Sequence, residues 1–232
     1  MFILRRAAER GIVDHGWLLA RHTFSFASYL DPRWERFRSL RVINEDTVQP
    51  AQGFGAHPHR DMEIVTWILA GALEHEDSTG EHGVLRPGDV QVMTAGTGIV
   101  HSEFNHSPSE TVHLLQTWIF PARRGAAPAY AQRHFPVAAR TDRLCAIASG
   151  DAREDSLRIG QDACVFTSLL GAGRRLAHEL DDRRGAWLQI ARGRVQCGDQ
   201  SLSTGDGLGI SDVARIELSA SEDAELLLFD LP

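Results

Sequence analysis

The chain reads as an all-β protein made of two similar β-barrels, and three observations predict this. Apolar residues fall in short continuous or alternating runs rich in Val, Ile, Leu, Thr and Trp, broken by Gly, Pro, Asp and Ser. The two-residue period of strands outweighs the 3.6-residue period of helices. A weak internal repeat sets Trp67-Ile-Leu-Ala-Gly71, followed by Pro87-Gly-Asp89, against Trp187-Leu-Gln-Ile-Ala-Arg-Gly193, followed by Gly205-Asp206.

The expected strands, in order, cover residues 39–43, 63–69, 89–93, 112–120, 164–170, 187–191, 215–218 and 224–230, each an apolar run closed by turn residues. Helical signals are few. The best is a turn or two at 31–37, where Pro32 suits a first helical position. A Pro- and Ala-rich stretch from Pro121 to Pro136 interrupts the strand pattern and reads as a connector. The expected boundary follows near residue 140, with one domain at 1–140 and a second at 141–232.

Composition bounds the function. At 232 residues and 25.6 kDa the chain has room for two ordinary domains, and 43% hydrophobic with 24% charged residues is a globular mixture. The longest strongly apolar stretch, 64–73, is about half of the ~20 residues a membrane-spanning helix needs. The opening Met1-Phe-Ile-Leu-Arg-Arg6 lacks the pattern of a secretory signal, so a cytoplasmic location is expected, with no membrane partner. Three widely spaced cysteines, Cys145, Cys164 and Cys197, form no CxxC and suggest neither a disulfide framework nor a thiolate metal site. A net charge of -7 with scattered arginine pairs argues against nucleic acid as a partner. All 24 basic residues are Arg, which excludes P-loop and Schiff-base lysine chemistry.

Chemistry concentrates in the histidines. Seven of the eleven (His57, His59, His75, His82, His101, His106 and His113) fall within one quarter of the chain. His57-Pro-His59 places two imidazoles on one face of an extended segment, because residues i and i+2 point the same way. His101-Ser-Glu103 offers one more imidazole and a carboxylate at the same spacing, after the Gly96-Thr-Gly98 turn. Facing each other, the two pairs would present three nitrogens and one oxygen, a set suited to Fe(II), Mn(II), Ni(II), Cu(II) or Zn(II) with positions left for exchangeable ligands. Glu63 is a rival carboxylate, but it lies four residues from His59, roughly 13 Å along an extended strand. His113 is the best candidate to support the ligands from behind. Phe54, Met62, Gln116 and Trp118 are candidates for the substrate mouth, although aromatic and Met positions on strands more often serve the core. Gly53, Gly55, Gly96 and Gly98 would let the backbone pass close to a flat ligand.

The runs Gly53-Phe-Gly-Ala-His57-Pro-His59-Arg-Asp-Met-Glu63-Ile-Val-Thr-Trp67 and Thr94-Ala-Gly-Thr-Gly-Ile-Val-His101-Ser-Glu103 resemble the signature of the pirins, bicupin proteins of the cupin superfamily. The opening Gly16-Trp17, His22-Thr-Phe-Ser-Phe26 and Leu40-Arg-Val-Ile-Asn44, with the closing Leu227-Leu-Phe-Asp-Leu-Pro232, are similar to bacterial pirins with quercetin 2,3-dioxygenase-like activity. The resemblance implies two jelly-roll barrels with the metal in the N-terminal one, held by His57, His59, His101 and Glu103. The C-terminal barrel, whose one histidine is His178, is expected to be metal-free.

The resemblance further implies a metal-dependent dioxygenase that cleaves a flavonol such as quercetin with O2 and releases carbon monoxide. Fe(II) is the first expectation among Fe, Mn, Co, Ni, Cu and Zn. Glu103 would then act as base toward the substrate hydroxyl as well as ligand. Two other readings stand beside it: a non-catalytic metal or redox sensor acting through a protein partner, whose surface nothing in the chain marks, and a different small-molecule cupin reaction such as sugar isomerisation.

Overall fold

A computed structural model describes all 232 residues, Met1–Pro232. The chain folds into two compact bodies. The first comprises residues 11–134 and 157–161, and the second residues 1–10, 135–156 and 162–232. The chain opens with β1 (Phe2–Arg5), which belongs to the second body.

The first body is built from β2 (Gly11–Asp14), β3 (Leu18–His22), β4 (Leu40–Val48), β5 (Gly53–His59), β6 (Glu63–Ala70), β7 (Leu73–Asp77), β8 (His82–Leu85), β9 (Asp89–Thr94), β10 (Ile99–Asn105), β11 (Val112–Ile119) and β12 (Ala129–His134). They form a large sheet, ordered β12-β9-β6-β11-β4-β3-β2, and a smaller one, β5-β10-β7-β8. The short helix α1 (Val137–Arg140) begins the second body, followed by β13 (Cys145–Ser149). β14 (Leu157–Arg158) returns to the first body, after which come β15 (Cys164–Leu170), β16 (Arg175–Glu179), β17 (Gly185–Arg192), β18 (Arg194–Cys197), β19 (Gln200–Ser203), β20 (Gly207–Ser211), β21 (Arg215–Ala220) and β22 (Ala224–Leu231). Here the large sheet runs β1-β20-β17-β22-β15-β13 and the smaller one β16-β21-β18-β19. Each body is thus a two-sheet jelly roll, and the two share one strand order. No helix is long and apolar enough to cross a membrane.

The repeat in the sequence corresponds to matched turns. Gly71 and Gly193 each leave a central strand with a left-handed backbone, at φ +76° and +78°. A Cβ at either would sit 2.4 or 2.1 Å from a backbone oxygen, of Thr111 and Asp223 respectively. Asp89 and Asp206 each accept the N–H of the residue three before them, Arg86 at 2.7 Å and Ser203 at 3.0 Å, beside Gly88 and Gly205 at positive φ. Trp67 and Trp187 lie four and six residues ahead of the turn glycine, hence on the same face by the two-residue period, and both are fully buried.

Three local expectations change. The 31–37 segment makes turns rather than a helix. The Asp31 carboxylate accepts the Arg33 backbone N–H at 3.1 Å, and only Trp34 N–H to Asp31 C=O, 2.9 Å, has the spacing of a turn. The connector 121–136 contains β12, an edge strand that is mostly exposed and so carries no apolar alternation. A single cut at residue 140 also gives way to exchanged segments: β1 pairs with β20, while 157–161 closes on the first body. A boundary marked by composition cannot register such pairing.

The interiors differ in kind. Ala186, Leu188, Ile190, Val195, Leu218 and Leu228 belong to an apolar cluster that fills the second barrel. In the first, a similar cluster of Leu18, Ile68, Leu73, Leu85 and Leu114 gives way, toward β5 and β10, to buried polar side chains.

The turn glycines provide a test. Gly71→Ala and Gly193→Ala should each cost roughly 2–4 kcal/mol in urea unfolding, backbone strain plus a clash with a carbonyl. Gly80, at φ +88° with nothing within 4 Å of an added Cβ, should cost only about 1 kcal/mol when changed to Ala. Equal costs at all three positions would remove the close-approach argument.

Candidate metal centre

β5 is the edge of the small sheet, the one place where Pro58 is tolerated between two strand residues. It pairs antiparallel with β10 so that His57 stands opposite His101. A β-bulge between His101 and Glu103 shifts the register, setting Glu103 across from Phe54 on one side and from His75 of β7 on the other. Alternation then turns His57 and His59, and His101 and Glu103, toward one interior.

The three imidazoles converge. His57 Nε2 lies 3.1 Å from His101 Nε2, and the three ring centroids are 4.5–4.8 Å apart. One ring nitrogen from each of His57, His59 and His101 lies within 4.8 Å of the others. His57 Nδ1–H donates to the Gly55 carbonyl at 2.8 Å, which leaves the Nε2 lone pair directed inward. His59 Nε2 is buried with no hydrogen-bond partner at all. Such an orphan is costly unless a cation takes its lone pair. Two nitrogens bound at about 2.1 Å and at right angles would sit about 3.0 Å apart, so the observed separation fits a shared ion. Burial, with the neighbouring His101 and His57, holds the His59 pKa down to about 4; burial, with His57 and His75, holds His101 down to about 3. Both rings are neutral, as ligands must be.

Glu103 is buried, and each carboxylate oxygen accepts an amide N–H: Oε1 from Gln91 at 3.0 Å, Oε2 from Gln116 at 2.7 Å. Gln116 in turn accepts the Trp118 indole N–H at 3.1 Å, so its amide orientation is set from both ends. Glu103 groups with His101 and His75, rather than joining all three imidazoles in one cluster. Trp118 meets the His59 ring edge-to-face at 4.9 Å and Phe26 at 5.2 Å, forming an aromatic wall. Met62 and Trp118 pack on Ile64, Met93, Ala95 and Ile99, whereas Phe54 packs on Trp17 and the barrel floor.

The other candidates go elsewhere. Glu63 begins β6 one position out of phase with the inward Ile64, and its carboxylate accepts the Thr94 hydroxyl at 2.7 Å beside Gly160, away from the imidazoles. His113 lies between the inward Val112 and Leu114 and pairs with Glu45 at 3.0 Å. His82 and His106 share the exposed Glu74. His178 pairs with Asp230 at 2.8 Å, beside Arg184.

Several site residues escaped the sequence reading. β4 continues to Val48 through Asn44-Glu45-Asp46, all buried, and a polar run inside a central strand was the available signal. His22 Nδ1 meets Asn44 Oδ1 at 2.8 Å. Asp46 Oδ1 is buried without a partner; burial, then the negative charges of Glu103 and Glu45, push its pKa up to about 7. His75-Glu-Asp77 repeats the i, i+2 spacing of the ligand pairs. His75 Nε2 lies 3.1 Å from Asp77 Oδ2, and its Nδ1 lies 3.4 Å from His101 Nδ1.

The chain matches known proteins along its whole length. The pirin family profile matches residues 4–119, and that of the quercetinase C-terminal cupin domain matches 146–231. The chain is 46% identical over its whole length to the quercetin 2,3-dioxygenase of Escherichia coli K12, covering 99% of that protein, and 44% identical to a pirin-like protein of Caulobacter vibrioides over 95% of each. Among solved structures, YhhW of E. coli superposes with a TM-score of 0.97 at 45% identity, covering 100% of this chain and 98% of that one. The nickel(II) complex of the same bacterial pirin superposes at 0.95, with 100% and 99% covered. With two family profiles spanning its two barrels and full-length identity well above 30%, the chain belongs to the pirin family.

Proposed function

We propose that this protein is a metal-dependent dioxygenase that opens the heterocycle of a flavonol such as quercetin with O2. The observation that carries the reading is the convergence of three imidazoles, one with an orphaned Nε2, beside a buried carboxylate and an aromatic wall. The name and nickel complex of its E. coli relatives support it. His57, His59 and His101 would hold the ion, with Glu103 completing the set; Fe(II) is the first choice, with Mn, Co, Ni, Cu and Zn as alternatives.

A bound ion of this kind supplies Lewis-acid and redox chemistry. The chain supplies the rest. Trp118 and Phe26 offer apolar faces against which a flat aromatic ring can lie. Gln91 and Gln116 hold the Glu103 carboxylate in place, and Glu103 takes the substrate hydroxyl proton on one of its oxygens, giving up an amide hydrogen bond as it does so. Burial of Glu103 and His101 limits the access of bulk water to the carboxylate, while His57 and His59 stay half-buried.

Metal analysis joined to an O2-uptake assay with quercetin tests the reading for each reconstituted ion. His57→Ala, His59→Ala, His101→Ala and Glu103→Gln should each lower metal occupancy, while Glu63→Gln should leave it near the native level. Glu103→Gln should slow turnover per bound ion by about 100-fold, the scale of a lost general base. Turnover that falls strictly with occupancy would remove the base role. Fully loaded protein that leaves quercetin untouched with every ion would shift the reading to the non-catalytic sensor or to another substrate.

The site also has a pH signature. Because the His59 pKa in the folded chain, about 4, lies below its ordinary 6.5, the unfolded chain takes up a proton there that the folded chain refuses. The stability of the metal-free protein should be at its plateau above pH 6.5 and fall as pH drops toward 4. His59→Gln should flatten this slope by on the order of 1–2 kcal/mol in urea unfolding, after allowance for the partly exposed ring. An unchanged slope would show that His59 is not held neutral.

A further inference from the structure

Behind the three converging imidazoles stands a second, wholly buried pair. His75 has no exposed surface; its ring stacks on Tyr130 at 4.5 Å and 17°. Register places Asp77 opposite His101, and His75 opposite Glu103. Asp77 is anchored by its other oxygen, Oδ1, which accepts the Thr79 N–H at 2.8 Å and hydroxyl at 2.5 Å, as well as the Glu81 N–H at 3.3 Å. Its Oδ2 is left for His75 Nε2 at 3.1 Å.

With His75 neutral, its contacts to Asp77 and His101 admit one arrangement of protons. A carboxylate only accepts, so His75 Nε2 must carry hydrogen. A neutral imidazole has a single N–H, so His75 Nδ1 is a lone pair. That lone pair faces His101 Nδ1 at 3.4 Å, which must then be the donor. His101 Nε2 is consequently the bare nitrogen, and it is the one that meets His57 Nε2.

We infer that Asp77 and His75 form a positioning relay that selects the metal-binding tautomer of His101 and fixes its ring orientation. The inference rests on the metal reading proposed above. Neither residue touches substrate; they act through His101, as carboxylate–histidine pairs behind metal ligands do.

The full-length chain tests this with zinc as the probe, using chelator competition, zinc stoichiometry and ring-nitrogen tautomers read by long-range 1H–15N NMR on the metal-free protein. In Asp77→Asn the amide oxygen can keep the Thr79 and Glu81 bonds while the amide N–H2 faces His75. That inverts the chain of donors, placing the His101 proton on Nε2. Zinc affinity should fall roughly 10–100-fold, and the His101 tautomer should switch. His75→Leu, which keeps bulk but offers no acceptor, should weaken zinc to a similar degree. His75→Asn, whose amide oxygen can stand near the Nδ1 position, should recover most of the affinity.

Packing alone would give the reverse order, with Leu tolerated and Asn not, and that result overturns the relay. So does an Asp77→Asn variant with unchanged affinity and tautomer. Two zinc ions per native chain, falling to one in His75→Leu, would make His75 a ligand in its own right and also overturn it. A native chain that shows the stated tautomers yet binds no zinc would instead overturn the metal reading.

Discussion

On β5 and β10 the antiparallel register sets His57 directly across from His101, and the rest of the site depends on that pairing. With the register given, the two-residue period brings His59 to the same interior, and the same period on β10 sets Glu103 beside His101. A slip of one residue in β5 would turn His57 and His59 away from that interior. Much of the surrounding chemistry satisfies polar groups that this register buries: two amides for one carboxylate, a carbonyl for His57 Nδ1, a carboxylate for His75. His59 Nε2 remains unpartnered among them.

The two barrels show what a shared architecture does and does not determine. Both use the same strand order, the same turn glycines and the same aspartates one residue past a turn glycine. In the strands that correspond by this order to β5 and β10, the second barrel carries Leu176, His178, Ile216 and Leu218. Leucine and isoleucine fill that interior by packing, and His178 pairs with Asp230. The first barrel gives up part of its apolar filling to hold Asn44, Asp46, Gln91 and Glu103. Chemistry therefore resides in the inward positions of a few strands and not in the fold as such.

Asp46 and Glu103 are two buried carboxyl groups in one interior, and Glu103 is among the charges that raise the Asp46 pKa. Two like charges in a region of low polarity disfavour each other, so a divalent cation held by Glu103 would relieve both. The metal reading thus accounts for the imidazole cluster and for the unpartnered carboxyl beneath it.

By itself the sequence determined the all-β class, most central strands, the duplicated turns and the i, i+2 pairs His57/His59 and His101/Glu103. Each of these depends on local periodicity or on glycine at positive φ, and both are visible in a single run of residues. Cys164–Leu170 was legible to the residue because both of its faces are buried. β12 and the far half of β4 were not, one because an edge strand needs no apolar alternation, the other because its inward side chains are polar for the sake of the site. Only the tertiary structure decided that β1 joins the second barrel, that Glu63 faces Thr94, and that His75, not His113, stands behind His101. Those outcomes depend on which strands lie next to one another, and spacing along a chain does not encode distance across a sheet.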